Sequence, residues 1–232
     1  MLGGVPSRGN KPARSLAAAT RPAFSLVELV VVAGVITVFV GASLPLVGRS
    51  IDQSRLTFDL AVIRQDAILI STYANDFKDI YPLGHANAQK ATRSWHEPLL
   101  TAGLLPSVRA ADPRSVRRTG EVSMILSLCM TYNPARMRPG FTEPPDDQGA
   151  FPVYQHNVTY PSAKGLMVQL FRDGGAFCCA GPAVVVPIAM ADDSCLVASR
   201  FMFTQGEPIF WNNDQIGMPV WSTWGGCMAR DK

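Results

Sequence analysis

Residues 24–47, FSLVELVVVAGVITVFVGASLPLV, contain a single charged side chain, Glu28. Twenty-four residues make a helix roughly 36 Å long, more than the ~30 Å of hydrocarbon in a bilayer. A helix that is apolar all round must be covered on every side, by lipid or by other apolar chains. Glu28 is the anomaly. A charged group in hydrocarbon costs at least ~2.5 kcal/mol even on lenient scales, so this carboxylate needs a physical reason to be there.

Upstream, residues 1–23 carry Arg8, Lys11, Arg14 and Arg21 and no acid, and they show no hydrophobic periodicity. They read as a processing or orientation segment whose charges keep the N-terminus in the cytoplasm. The net charge of +3 for the whole chain therefore leaves −1 for everything after residue 23. With no basic stripe and no groove-reading motif, nucleic acid is not an expected partner.

Pro45 lies near the far end of the apolar run and is expected to kink the helix without ending it. Beyond it, Leu56, Leu60, Ile63, Ala67, Ile70, Ala74 and Phe77 recur at spacings of 4, 3, 4, 3, 4 and 3. That rhythm predicts one apolar helix face, with Arg55, Asp59, Arg64, Asp66 and Lys78 at polar positions around it. One rod from Phe24 to Lys78, roughly 80 Å long, is the expectation, ended by Tyr81-Pro82.

The remainder is turn-rich: most of the 18 prolines and 19 glycines fall after residue 80. Residues 94–106 read as a short helix or turn, and 107–121 and 134–150 as loops. Four short apolar runs, 122–130, 165–171, 183–190 and 195–203, read as strands of an antiparallel sheet, with a glycine turn in FRDGGAF at 171–177. The fold class is α+β. The divisions are a leader at 1–23, an apolar helix at 24–48, an amphipathic half at 49–81 and a globular part at 82–232.

The stretch AFSLVELVVVAGVITVFVGASLP resembles the N-terminal signature of type IV pilins and of the pseudopilins of type II secretion: basic leader, small residue, Phe-Ser/Thr-Leu-Ile/Val-Glu, long apolar helix. The resemblance covers residues 21–48 and extends more loosely to about Pro82. Ala23 stands where the family usually has Gly, and the leader is long compared with the family's shortest. The resemblance implies a prepilin peptidase that cuts between Ala23 and Phe24 and methylates the new amine. It also implies an inner-membrane subunit with its N-terminus cytoplasmic and its head outside, and a filament whose other pilin or pseudopilin subunits are its partners. Glu28 and Pro45 then fall at assembly positions, and Glu28 answers the Phe24 amine of its own or a neighbouring chain. Such a pair also sets axial register, as buried polar groups do in coiled coils. The implied fold is a long helix packed by its second half on an antiparallel sheet.

Two plainer readings compete. A secretory signal peptide finds a small-residue cleavage site in Val40-Gly41-Ala42, but leaves the periodic helix unexplained. A plain single-span anchor carrying an enzyme or binding module explains the hydrophobicity but has no use for Glu28.

Candidate chemistry elsewhere is sparse. MADDSC at 190–195 and NNDQ at 212–215 cluster oxygen ligands, so Asp192, Asp193 and Asp214 are calcium candidates, the type of loop major pseudopilins use; their spacing fits no calcium motif, and turn residues are the better reading. ADDSCLVASRFMF also resembles a hairpin of planctomycete-type pilin-like proteins, with Asp193 where Gly is expected and the upstream His missing. His85, His96 and His156 are scattered. Trp211, Trp221 and Trp224 are close in sequence and read as packing residues. The five cysteines, Cys129, Cys178, Cys179, Cys195 and Cys227, form no CxxC and no zinc spacing, and one or two disulfides of unassigned pairing are expected in an exported domain. No triad, metal set or phosphate loop is present after residue 79. The expectation is a structural subunit, not an enzyme, without a resident cofactor.

Overall fold

A computed structural model describes residues 25–113, 122–134, 137, 149–172, 175–176, 184–204, 220, 223 and 225–232. The chain forms two compact units, residues 1–50 and 51–232. Helix α1 (Leu26–Asp76) runs across that boundary and is not ended by Pro45.

In the first unit every described residue is exposed. Leu26 to Val47 holds three polar side chains, and each is bonded within the chain's own first turns or helix backbone. Thr37 Oγ1 donates to the Ala33 carbonyl at 2.8 Å and Ser43 Oγ to the Phe39 carbonyl at 2.7 Å, while Glu28 is bonded to Ser25. No polar side chain in this segment therefore depends on water for a partner, the condition a helix in hydrocarbon must meet. α1 is long and apolar enough to cross a membrane.

In the second unit the face of α1 turned inward carries Asp59, Val62, Ile63, Asp66, Ala67, Ile70 and Ala74. The predicted apolar face is therefore right at its centre. At its ends, Leu56 and Leu60 are half-buried, and Phe77 is exposed, stacked on Tyr73 at 4.3 Å. The polar face needs correction. Arg55, Arg64 and Lys78 are exposed, but Asp59 and Asp66 are buried. Residues 59 and 66 are seven apart, so one stripe of the helix carries both acids inward. The helix also stops earlier than expected, at Asp76, where Lys78 and Asp79 adopt left-handed φ of 59° and 61° and turn the chain before Tyr81-Pro82.

Three short helices follow: α2 (Ala88–Arg93), α3 (His96–Thr101) and α4 (Val108–Ala111). α3 falls in the segment expected to be helix or turn. α2 and α4 were not anticipated; α2 starts at Asn87, whose side chain accepts from the Lys90 amide at 3.1 Å, an N-cap readable in Asn-Ala-Gln-Lys. Between α2 and α3, Trp95 is fully buried and donates its indole N–H to the Met124 carbonyl at 3.0 Å.

The strands are β1 (Met124–Leu126), β2 (Gly165–Gln169), β3 (Phe171–Arg172), β4 (Gly175–Ala176), β5 (Val186–Met190) and β6 (Cys195–Ala198). β1-β2-β5-β6 form one antiparallel sheet, and β3-β4 a separate hairpin. Each apolar run expected to be a strand holds one, but shorter. The first run turns into a 3-10 turn at Leu128–Met130 and the last at Arg200–Met202. Ile125, Val168 and Ile188 meet in register across three strands, as do Leu126, Met167 and Ala189. The first set packs with Leu128, Tyr132 and Phe203, the second with Ile63, Ala67, Ile70 and Trp95. A sheet covered on both faces has no polar alternation, which is why its strands read as unbroken apolar runs.

Asp66 is 0% exposed, and neither carboxylate oxygen has a hydrogen-bond partner among the described residues. Burial, with a contribution from the Asp112 carboxylate, pushes its pKa up to about 8. A raised carboxyl pKa means the folded protein holds the proton more tightly than the unfolded chain. The stabilisation is complete below the unfolded value near 3.8 and is lost as pH rises to about 8. Asp66→Asn, which stays neutral, should therefore flatten the fall in Tm between pH 4 and 8. It should also raise Tm at pH 8 by roughly 5 °C, measured by calorimetry of detergent-solubilised protein.

Candidate functional site

The sequence directs attention first to the start of α1. Ser25 precedes the helix and Glu28 lies in its first turn. Ser25 donates to Glu28 Oε2 through its amide at 2.9 Å and its hydroxyl at 3.0 Å, and the Glu28 amide donates back to Ser25 Oγ at 3.2 Å. This is a reciprocal capping box, Ser-x-x-Glu, which satisfies amides that a helix start leaves without partners. It is legible in SLVE and escaped the sequence reading, which looked for a counter-charge and not a cap. The negative charge also sits favourably at the positive end of the helix dipole.

Among the described residues both hydrogen bonds of the Glu28 carboxylate use Oε2, and Oε1 accepts none. Both oxygens are carried by an exposed side chain. The site therefore has a fixed carboxylate with one oxygen available to an incoming cation. Ala23 and Phe24 lie outside the described residues. Pro45 is exposed within α1, between Leu44 and Leu46, which are also exposed.

The calcium candidates do not converge. Asp192 and Asp193 form the turn joining β5 to β6. Asp192 Oδ1 accepts from the Ser194 amide and hydroxyl, and Asp193 Oδ1 accepts from Ser71 Oγ at 2.6 Å. Asp193 holds a left-handed φ of 63°, the conformation that makes Gly the expected residue there. Asp214 lies outside the described residues, as do Cys178, Cys179, Trp211, Trp221 and Trp224. Among the described residues no group of three His, Cys, Asp or Glu is placed to hold a metal ion. The histidines are apart: His85 accepts from the Asn87 amide, His96 lies edge-on to Trp95, and His156 stacks on Tyr154.

A second polar constellation, not anticipated, lies inside the globular unit. The Lys164 ammonium is 2.8 Å from Asp231 Oδ1, and both side chains are fully buried. Asp231 Oδ2 accepts from the Gly165 amide at 2.8 Å, and Thr223 Oγ1 is hydrogen-bonded to Oδ1. The Thr223 amide donates to Cys129 Sγ at 3.4 Å. Burial works against the ammonium, but the Cys129 thiol and the Asp231 carboxylate outweigh it and raise the Lys164 pKa. Gly165 is required by close approach: a Cβ there would lie 2.0 Å from Val220 Cγ1. Lys164 and Asp231 are 67 residues apart, so spacing held no signal of the pair.

Two open clefts border α1. One is lined by Tyr73, Phe77, Glu97 and Thr101, the other by Leu60, Ala61, Arg64, Ile68 and Cys195. Burial pushes the Cys195 thiol up to about 11, so it is protonated at neutral pH and a poor nucleophile. No protein-family model, characterised protein or solved structure matches this chain.

Removing one partner of a buried pair leaves a lone charge in the core. Lys164→Met and Asp231→Leu should each lower unfolding stability by about 3–5 kcal/mol. The double variant should be at least about 2 kcal/mol more stable than the sum of the singles, read from denaturant melts.

Proposed function

We propose that the chain is a pilin-like structural subunit, cut before Phe24 and N-methylated by a prepilin peptidase, that polymerises into a type IV pilus or a type II secretion pseudopilus. Residues 24–48 sit in the inner membrane before assembly, with the N-terminus cytoplasmic and the globular unit on the other side. What carries the reading is the start of α1: an exposed apolar helix led by a carboxylate with one oxygen bonded and one open. Cutting before Phe24 leaves the cap intact, because both its members, Ser25 and Glu28, lie beyond the cut. It also creates an α-ammonium one helical turn from Glu28, within reach in the same chain or offered by the next.

The capping box favours a second reading. It gives Glu28 a local task that a monomeric, single-span anchor carrying an enzyme or binding module would also use. Gln and Leu separate the two, since Gln keeps an acceptor for the cap and loses only the charge.

Intact-mass analysis of protein from its native membrane should show a chain beginning at Phe24 with a methylated amine. A chain beginning at Ser43 or Leu44 would establish a signal peptide instead. Glu28→Gln and Glu28→Leu should both insert and fold, but cross-linked multimers should fall by roughly tenfold or more, with Glu28→Asp intermediate. Multimers at wild-type levels for Glu28→Gln would leave only the cap as the role of this side chain and would favour the anchor.

A further inference from the structure

We infer that Cys129 and Cys227 are a disulfide pair that locks the C-terminal turn onto the turn following β1. Each cysteine is the middle residue of a 3-10 turn, Leu128–Met130 and Gly226–Met228. The two turns pack against each other. Both cysteines are 0% exposed, and neither is in a disulfide in this structure. The amide of Thr223, shortly before Cys227 in the chain, donates to Cys129 Sγ at 3.4 Å. Burial first, and the nearby Cys129 sulfur next, raise Cys227 to about 11. The remaining described cysteine, Cys195, opens β6, half-buried beside Arg64 and the Asp192–Asp193 turn, and lines a different part of the surface.

The chemistry is thiol–disulfide exchange with a small-molecule or protein disulfide as oxidant. The thiolate of one cysteine attacks a donor sulfur, forming a mixed disulfide and releasing one donor thiolate. The second cysteine, as thiolate, attacks the protein sulfur of that mixed bond and releases the other. Two protons and two electrons leave the protein, and the donor disulfide becomes two thiols. Because both sulfurs are buried once folded, the exchange belongs to the stage before the C-terminal turn closes. The bond would close a loop of roughly 100 residues, near the upper end of what a cross-link gains by restricting the unfolded chain.

That the bond forms in the cell rests on the proposed location of the globular unit outside the cytoplasm; the pairing does not. Full-length protein in detergent is reduced, unfolded and refolded in a mixture of reduced and oxidised glutathione. Free thiols are then alkylated and the digest is mapped without reduction. The expected result is a dominant cross-linked peptide joining Cys129 to Cys227. Reduction should lower Tm by roughly 10 °C, and Cys195→Ser should change neither result. Cys129 or Cys227 found alkylated, or joined to Cys178, Cys179 or Cys195, overturns the pairing. A map of native-membrane protein separates the two claims. Free Cys129 and Cys227 there, with the cross-link formed in glutathione, would uphold the pairing and strike the proposed location.

Discussion

Asp231 accepts hydrogen bonds from the Lys164 ammonium, the Gly165 amide and the Thr223 hydroxyl, all away from water. Its backbone adds to this, with its amide donating to the Ala163 carbonyl at 2.8 Å and its carbonyl accepting from the Thr204 amide at 2.7 Å. Apolar burial is non-directional and tolerates slippage. A charge pair in a dry core does not, since any displacement leaves two ions without water and without each other. The entry to β2 is therefore placed by Lys164 and Gly165, and β2 is the strand through which β1 and β5 find their register. The face of the sheet that receives Ile63, Ala67 and Ile70 follows from that placement.

Much of this architecture can be read in the sequence, because it rests on periodicity. Ile63, Ala67, Ile70 and Ala74 recur at helical spacing and are the buried stripe. The apolar runs that contain β2, β5 and β6 are bounded by glycine, proline and aspartate, and the strands lie within them. What escaped is what depends on partners distant in sequence. Lys164 and Asp231 look like surface residues until the fold joins them, and Asp59 and Asp66 look like the polar side of the helix they help to bury. Charge type predicts exposure only on average; the heptad position of residues 59 and 66 was the better guide, since it repeats the phase of the buried stripe.

The buried acid of α1 and the buried pair of the C-terminal segment answer desolvation differently. Asp231 lies against the Lys164 ammonium, whereas Asp66 has no hydrogen-bond partner among the described residues and its pKa is pushed up to about 8. A protonated carboxyl is still polar but carries no charge, so it costs a helix face far less than an ion does. It also makes the packing of this stretch of α1 sensitive to alkali, because burial and the Asp112 carboxylate both oppose ionisation of Asp66.

In the proposed filament, Glu28 would combine a local role with a collective one. In the lone chain Oε2 closes the cap with Ser25, which holds the carboxylate in one orientation at the helix start. That fixing matters for any later partner, since a rotating carboxylate would have to be ordered at the moment of binding, and a capped one has already lost that freedom. Oε1 is left to face outward from an apolar helix where no other charge competes for a cation before Arg49. In hydrocarbon the same geometry turns from tolerable to demanding: the cap alone neutralises no charge, so the energy of the site falls steeply when an ammonium arrives. In the proposed filament, a helix otherwise free to slide along its apolar neighbours would then have one axial position at which that requirement is met. Register in such an assembly would come from this one carboxylate, and the apolar residues around it would supply the adhesion.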